Sequence, residues 1–154
     1  MRAFVFVLCL ATSSGAWLSS QSFQDQFGKS VNISALSASA PLLVFWSDKR
    51  DSPKFFEAWG RALGDLVDGT VTVAVADLKG LPFFVPRFAV TKMLARDYPT
   101  RSILVDWTGE LAERHSLPKN SVAVLVFGPG GELKAKMLGA ANPAGVAAIQ
   151  AALK

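Results

Sequence analysis

Residues 41–46 read PLLVFW, and residues 47–52, which follow them, read SDKRDS. An unbroken apolar run of this length, closed by polar residues, is typical of a central strand that is buried on both faces of a sheet. Beyond it, apolar side chains recur at helical spacing and charged side chains occupy the opposite side. This order predicts a buried strand that leads into an amphipathic helix, with Asp51 or Ser52 as the helix cap and Pro53 in its first turn.

The pattern continues on both sides of this strand and helix. The helical periodicity runs from Phe55 to Val67, and residues 70–76 are β-branched and apolar, which predicts a second buried strand that ends at Asp77. Two strands joined by a helix form a βαβ unit with parallel pairing. The other predicted elements are a strand at 31–33, a helix at 88–98, a strand at 101–106, a hairpin with strands at 122–127 and 133–138, and a helix at 144–153.

Composition limits the classes of protein to which this chain can belong. The 154 residues are 51% apolar and only 18% charged, which excludes intrinsic disorder and a coiled coil. The net charge of +4 is mild, and no dense basic patch with interleaved aromatic residues is present, so we expect no nucleic-acid partner. Four basic residues in the second half form either a weak anion-attracting face or, as is more common, the solvated face of a helix: Arg87, Lys92, Arg96 and Arg101.

The N-terminus has the pattern of a secretory signal peptide. Arg2 precedes an apolar run at residues 3–11, and small residues follow at Ser14 and Ala16. The run is about half as long as the roughly 20 apolar residues that cross a bilayer. We therefore predict a signal peptide at 1–16 and a mature domain at 17–154 that is periplasmic or secreted and does not insert stably into a membrane. Because the single cysteine, Cys9, lies within the signal, the mature chain has none.

The order of the predicted elements resembles that of the thioredoxin-like redoxin superfamily. Residues 23–36 resemble the hairpin at the start of redoxin domains, and residues 42–47 resemble the strand that leads into their active-site loop. Residues 103–106, followed by Gly109, resemble a later redoxin segment. The resemblance covers nearly all of the mature chain. It implies an α/β, thioredoxin-like three-layer fold with a central mixed sheet flanked by helices.

One group within this superfamily shares a further spacing with the chain. The numbers of residues that separate Asp106, Ser121 and Gly131 along the sequence are similar to those in the YtfJ family. This family is a group of secreted bacterial redoxin-like proteins without redox cysteines.

The chain departs from working redoxins at the position where their chemistry occurs. In thioredoxins a Cys-x-x-Cys motif follows the tryptophan at the end of the strand, whereas here SDKRDS follows Trp46. Disulfide exchange and peroxide reduction both need a thiolate, so neither is expected of the mature chain, and neither is copper binding by paired cysteines. The cis-proline of thioredoxins is replaced by Val122, where we expect a trans peptide bond.

A charged loop is the main candidate site. It follows the central strand, at the edge where α/β sheets bind ligands, and its two cations together with the start of a helix favour an anionic group. The alternative is a solvated loop that remained after the cysteines were lost. Two phenylalanines between Pro82 and Pro86 either form an exposed binding patch or fill the core. The candidate ligand or partner residues are Trp46, Asp48, Lys49, Arg50, Asp51, Phe83 and Phe84.

Other catalytic and cofactor sites find no support in the sequence. His115 is the only histidine, is expected at the surface before Pro118, and has no sign of a triad around it. One histidine and scattered carboxylates supply no metal-ligand spacing. The glycines at 128–131 fit the turn of a hairpin better than a phosphate loop. We therefore predict no catalytic residue of a known type, no metal and no cofactor.

Three functional hypotheses follow. The first is a secreted or periplasmic binding or adaptor module without thiol redox activity, whose partner is a secreted protein or a small anionic ligand. The second is an enzyme with non-thiol chemistry in the charged loop, in which Asp48 or Asp51 acts as acid or base and Arg50 orients an anion. The third is a scaffold protein that resembles redoxins by fold alone.

Overall fold

The structure is a computed structural model that describes residues 22–50 and 52–154. The predicted signal peptide and Asp51 lie outside the described residues. The strands are β1 (Ser22–Asp25), β2 (Ser30–Asn32), β3 (Leu42–Ser47), β4 (Val71–Asp77), β5 (Ile103–Asp106), β6 (Val122–Phe127) and β7 (Leu133–Leu138). The helices are α1 (Ile33–Ser37), α2 (Ser52–Leu63), α3 (Asp65–Asp68), α4 (Arg87–Asp97), α5 (Glu110–His115) and α6 (Pro143–Ala152).

The strands form a mixed seven-stranded sheet in the order β2-β1-β5-β4-β3-β6-β7. β3 pairs in parallel with β4, and β4 pairs in parallel with β5. The remaining neighbours, including β3 with β6 and β6 with β7, are antiparallel. The predicted α/β class, the parallel βαβ unit and the hairpin that follows it are therefore confirmed.

The core lies on both faces of β3, all six residues of which are buried. Because side chains alternate along a strand, Phe45 projects to one face and Trp46 to the other. The face of Phe45 packs against Trp59 and Leu63 of α2 and Ile149 of α6. The face of Trp46 packs in a second cluster that includes Leu111 of α5. Helices thus cover both faces of the sheet, which gives the three layers that were expected.

The amphipathic helix is shorter than its apolar periodicity predicted. α2 ends at Leu63 instead of continuing to Val67, because Gly64 takes a positive φ of 56° that other residues rarely adopt. The apolar pattern resumes in the short α3. Trp59 connects α2 to the segment that follows β7, because its indole Nε1 donates a hydrogen bond to the carbonyl of Gly139 at 3.0 Å.

Other boundaries and burial patterns differ from the predictions or were not predicted. The strand expected at 31–33 ends at Asn32, whose side chain accepts a hydrogen bond from the Ser34 amide and starts α1 at Ile33. β4 is mostly half-buried and not fully buried. Only Val90 of α4 is buried, so this helix covers β4 loosely. α5 was not predicted.

The C-terminal elements agree closely with the sequence pattern. β6 and β7 have the predicted bounds, and all six residues of β6 are buried. α6 begins at Pro143, where the side chain of Asn142 accepts a hydrogen bond from the Gly145 amide at 2.9 Å. This is the N-cap arrangement expected from the Asn-Pro pair.

Candidate functional site at the carboxyl edge of the sheet

The carboxyl ends of β3, β4 and β5 meet at one edge of the sheet because the three strands are parallel. We call this edge the carboxyl edge; it carries Asp48, Asp77 and Asp106. The segment before β6 also lies there, since Ser47 pairs with Val122 in the antiparallel register of β3 and β6. Parallel pairing therefore gathers three carboxylates that are far apart in sequence.

Asp48 fixes the loop after β3 to the segment before β6. One oxygen of its carboxylate accepts a hydrogen bond from the Asn120 amide at 2.8 Å, and the other accepts one from the Ser121 amide at 2.9 Å. Within the loop, the Oγ of Ser47 accepts a hydrogen bond from the Lys49 amide at 2.8 Å. Hydrogen bonds to an ionised acceptor are stronger than neutral ones, so the loop has a defined conformation at its base.

Lys49 and Arg50 extend from this fixed base into solvent. Both side chains are exposed, and no carboxylate within residues 22–50 or 52–154 forms an ion pair with either of them. They line the same open depression as Lys79, which follows β4. α2 begins at Ser52, so its N-terminal amides lie close to these cations along the chain. The loop therefore presents positive charge at the carboxyl edge.

The carboxylate of Asp106 serves the local structure. It is buried and accepts hydrogen bonds from three backbone amides and one hydroxyl, which belong to Thr108, Gly109 and Leu111. These bonds close the turn after β5 and start α5. Because the carboxylate is saturated with donors, we assign Asp106 a structural role.

The carboxylate of Asp77 accepts fewer hydrogen bonds than that of its neighbour Asp106. Its Oδ1 accepts one hydrogen bond, from the Lys79 amide at 3.0 Å. Burial raises the pKa of Asp77 above its ordinary value, the hydrogen bond from Lys79 opposes that change, and the negative charges of Asp106 and Asp48 raise the pKa further. Asp77 thus holds its proton more strongly than an exposed aspartate does.

The sequence pattern predicted Asp77 only as the end of a strand. The signal that identifies it as a site residue was available, because two predicted parallel strands each end in an aspartate. In the register of β4 and β5, Asp77 lies directly beside Asp106. Adjacent parallel strands place such residues at the same edge.

Trp46 lies in the core beneath this edge. Only 1% of it is exposed, and it packs with Val75 and Leu117. Its indole Nε1–H is buried and finds no acceptor among the residues that the structure describes. Trp46 therefore supports the loop from below and does not form part of its exposed surface.

Phe83 and Phe84 lie in the connection between β4 and α4. Their exposed fractions are 100% and 72%, and their rings contact each other edge to face at 5.8 Å. Neither ring lines the depression that Lys49 and Arg50 line. Of the candidate residues, the structure therefore brings Asp48, Lys49 and Arg50 together and holds the two phenylalanines apart from them.

The prediction that His115 lies at the surface is wrong. His115 ends α5 and is only 7% exposed, with its ring 5.3 Å from that of Phe127. Burial lowers its pKa to about 4, and the positive charges of Arg114 and Lys136 act in the same direction. The error has a simple cause, since the unpredicted helix α5 turns this side chain inward.

Three further features of the described residues bear on function. No group of three or more histidine, cysteine, aspartate or glutamate residues in the described ranges could hold a metal ion. No helix in the same ranges is long and apolar enough to cross a membrane. The peptide bond before Val122 is trans, as expected at the position that resembles the thioredoxin cis-proline.

Comparison with known proteins identifies the fold. No known family and no curated protein sequence matches the chain. The exposed lipoprotein thioredoxin Etrx1 of Streptococcus pneumoniae is similar in structure, with a TM-score of 0.64 and 16% identity over 86% of this chain and 96% of that one. The N-terminal domain of PilB from Neisseria gonorrhoeae has a TM-score of 0.62 and 16% identity, over 90% of this chain and 91% of that one.

A peroxide-reducing protein has the same architecture. The bacterioferritin comigratory protein of Xanthomonas campestris, which has alkyl peroxide reduction activity, matches with a TM-score of 0.60 and 14% identity. The match covers 90% of this chain and 92% of that one. At such identities the similarities establish the fold, and the chain is an α/β protein of thioredoxin-like fold.

Proposed function

We propose that this chain, with its thioredoxin-like fold, is a secreted or periplasmic binding module without thiol chemistry. It recognises an anionic group, on a protein or a small ligand, through Lys49 and Arg50. The predicted signal peptide at residues 1–16 supports the location.

The absence of thiol chemistry rests on the residues at the carboxyl edge. The loop that corresponds to the redoxin active site contains Ser47, Asp48, Lys49 and Arg50, and the only cysteine of the chain is Cys9. A thiolate is the nucleophile in both disulfide exchange and thiol-dependent peroxide reduction. A chain from which residues 1–16 have been removed has no atom that can perform either reaction.

The binding role rests chiefly on how Asp48 holds the loop. Its two hydrogen bonds, to the amides of Asn120 and Ser121, order the backbone that carries Lys49 and Arg50. A loop held in this way loses less conformational entropy on binding than a mobile loop does. The exposed cations are therefore held in a defined position before an anionic partner binds, and no described carboxylate forms an ion pair with them.

Site-specific crosslinking tests the binding role. A photoreactive amino acid replaces Lys119, an exposed residue that lines the same depression, in one variant and Lys154 in a control, and adducts formed in the secreted compartment are identified by mass spectrometry. We expect a discrete adduct at position 119 alone, and its loss when Lys49→Glu and Arg50→Glu are added. Equal adducts at both positions, or an adduct that persists with Lys49→Glu and Arg50→Glu, would refute recognition by the charged loop.

A redox assay tests the absence of thiol chemistry separately. The secreted chain and a Cys9→Ser variant are assayed for insulin disulfide reduction and for peroxide reduction, with a heat-denatured sample as the baseline. We expect neither sample to exceed the baseline. Activity of the Cys9→Ser variant above it would overturn this part of the proposal.

A second candidate function is favoured by Asp77. Its pKa is raised by burial, and its Oδ2 accepts no hydrogen bond from the described residues. A carboxyl group in this state suits proton transfer, as in an enzyme with non-thiol acid–base chemistry. The acid–base role that the sequence suggested for Asp48 fits less well, because both of its oxygens are engaged by backbone amides. Carboxyl titration by NMR tests this candidate, and an ordinary aspartate pKa for Asp77 would remove its basis.

A further inference from the structure

A second surface, distinct from the charged loop, lies on the connection between β4 and α4 and on α4 itself. Six large apolar side chains are exposed in the described part of the chain, and four of them fall in residues 83–93. They are Phe83, Phe84, Phe88 and Met93, with exposed fractions of 100%, 72%, 73% and 40%. We call the three phenylalanines the aromatic tip, because Met93 lines the open depression instead. A local concentration of exposed apolar area of this kind marks an interaction site.

The backbone holds the aromatic tip outward. The Val85 amide donates to the carbonyl of Pro82 at 3.0 Å, and the Ala89 amide donates to the carbonyl of Pro86 at 3.1 Å as α4 begins. Because prolines restrict the backbone at both ends of this turn, the two rings between them cannot easily fold back onto the sheet. The rings protrude and do not line the adjoining depression.

The net positive charge of the chain comes from residues 79–101, a range that includes the aromatic tip and α4. Residues 79–101 contain five basic residues and one acidic residue, whereas the chain as a whole contains 16 and 12. The remaining residues therefore hold eleven of each sign and are neutral overall. Two of the five basic residues form exposed ion pairs, Lys79 with Glu113 and Arg96 with Asp97, so Arg87 and Lys92 supply the positive charge that lies nearest to the exposed phenylalanines along the chain.

The helix α4 places aromatic and cationic side chains on one stripe. Phe88, Lys92 and Arg96 are spaced by four residues, so they lie above one another on the same side of the helix. All three are exposed, whereas Val90 is buried. Arg96 forms an ion pair with Asp97 at 2.8 Å, so Lys92 is the cation of the stripe that pairs with no described carboxylate. Arg87, one residue before Phe88, lies on another side of the helix, where its guanidinium is 4.9 Å from the centre of the Trp107 ring. Lys92 and Arg96 thus lie on the exposed side of α4 next to Phe88 of the aromatic tip.

We propose that the aromatic tip, with Lys92, docks this protein on the surface of an anionic lipid bilayer. Protruding rings can enter the boundary between headgroups and acyl chains, and the ammonium group of Lys92 attracts anionic headgroups. A protein partner would instead need a cavity shaped to receive the two rings. A fluid lipid surface receives such a protrusion without a matching shape. The docking is peripheral, which is consistent with the finding that no described helix is long and apolar enough to span a membrane.

A site-specific fluorescent probe tests the contact. In a Cys9→Ser background, Phe83→Cys and the control Phe27→Cys are labelled with an environment-sensitive nitrobenzoxadiazole dye. Phe27 is a matched control because it is also an exposed phenylalanine, at 55%, in the turn between β1 and β2. Both variants keep the same N-terminal segment, so any membrane affinity of that segment affects them alike. They are mixed with vesicles of phosphatidylglycerol or of phosphatidylcholine.

We expect the dye at position 83 to brighten severalfold on phosphatidylglycerol vesicles and much less on phosphatidylcholine vesicles, with little change at position 27. An equal response at the two positions would overturn the proposal. So would an equal response to the two lipids, or no response to either; the last result would instead favour a protein partner for the aromatic tip.

Vesicle sedimentation of unlabelled protein gives an independent measurement. Phe83→Ser combined with Phe84→Ser should weaken partitioning onto phosphatidylglycerol at least about tenfold relative to Phe27→Ser, because two rings leave the interface. Lys92→Glu should weaken it on the order of fivefold or more relative to Lys54→Glu, an exposed site on α2. These residues are exposed, so folding is unaffected. Unchanged partitioning in the tip variants would refute the docking surface.

Discussion

Asp77 and Asp106 lie side by side in the parallel register of β4 and β5, and the amide of Leu78 donates to the carbonyl of Asp106 at 2.8 Å. The two carboxylates nevertheless have different surroundings. That of Asp106 accepts four hydrogen bonds, whereas that of Asp77 accepts one. The neighbouring negative charge raises the pKa of Asp77, which burial has already raised. The pair combines a structural carboxylate with a chemically available one.

The first prediction concerns the effect of the buried negative charge of Asp77 on stability. Asp77→Asn keeps an acceptor for the Lys79 amide and removes a buried negative charge beside Asp106. We expect the free energy of unfolding at pH 7 to increase. Because the folded-state pKa of Asp77 is raised, its proton stabilises the fold at low pH and is lost as the pH rises. The advantage of the variant should therefore disappear below about pH 3.8, the ordinary aspartate value.

Urea denaturation at pH 7 and at pH 3 measures this difference. Asp106→Asn is the contrasting variant and should lower stability at pH 7, because its carboxylate is saturated with donors. A loss of stability in Asp77→Asn at pH 7 would show that the charge of Asp77 is stabilising.

The second prediction concerns the attachment of the charged loop. Asp48→Ala removes two charge-assisted hydrogen bonds, to the amides of Asn120 and Ser121. We expect the free energy of unfolding to fall by about 1–3 kcal/mol. We also expect faster amide hydrogen exchange at Asn120 and Ser121. The control is Asp68→Ala, at an exposed position at the end of α3, which should change stability by less than about 0.5 kcal/mol. Equal effects of the two substitutions would contradict the proposed attachment.

The third prediction concerns pH. His115 has a pKa of about 4 in the folded chain, below its ordinary value of 6.5, because it is buried near Arg114 and Lys136. The unfolded chain therefore binds a proton more readily between these two values. His115 thus contributes stability above pH 6.5 that is lost as the pH falls toward 4. The expected loss between pH 7 and pH 5 is up to about 2 kcal/mol.

Denaturation curves between pH 7 and pH 5 test this expectation against His115→Gln. The variant lacks the titrating group, so its stability should change less over that range than the stability of the original chain. The contribution of Asp77 to stability changes with pH in the opposite direction, since its raised pKa favours the folded state at lower pH. Comparison in an Asp77→Asn background separates the two residues. A pH dependence that His115→Gln leaves unchanged would exclude His115 as its source.

The fourth prediction compares two helical glycines. A Cβ added at Gly60 in α2 would meet no atom within 4 Å, whereas one added at Gly145 in α6 would lie 3.0 Å from Cη2 of Trp59. The Trp59 ring is fully buried and bonded to Gly139, so it cannot move away easily. We expect Gly60→Ala to stabilise the chain by roughly 0.5–1 kcal/mol. We expect Gly145→Ala to lack this gain or to destabilise the chain.

Thermal denaturation of the two variants distinguishes these cases. They are matched because both replace a glycine within a helix by alanine. If Gly145→Ala proved as stabilising as Gly60→Ala, the contact between α2 and α6 at Trp59 would be looser than the structure shows.

Elements with a strong local signal were predicted well. Residues 42–47 are apolar throughout, and the hairpin at 122–138 has glycines at its turn, so hydrophobic burial and turn chemistry were sufficient to place them. The end of α2 was misplaced because the apolar spacing continues past Gly64, whereas the conformation of that glycine depends on the fold around it. α5 was missed because a helix of six residues carries too little periodicity to detect.

The candidate site was predicted only in part. The charged loop could be located, because its place at the end of a buried strand follows from the chain order. The engagement of Asp48 by Asn120 and Ser121 could not be predicted, since 72 and 73 residues separate the partners. The inward position of His115 was equally hidden, because it depends on packing against Phe127.

The sequence by itself determined the α/β class, the central buried strand and the lack of a cysteine outside the first 16 residues, because these depend on local composition and spacing. Only the tertiary structure decided that Asp48 accepts hydrogen bonds from Asn120 and Ser121, that Asp77 lies beside Asp106, and that Phe83 and Phe84 are exposed. These features arise from contacts between distant segments. The pairing of strands sets such contacts, and no local pattern encodes them.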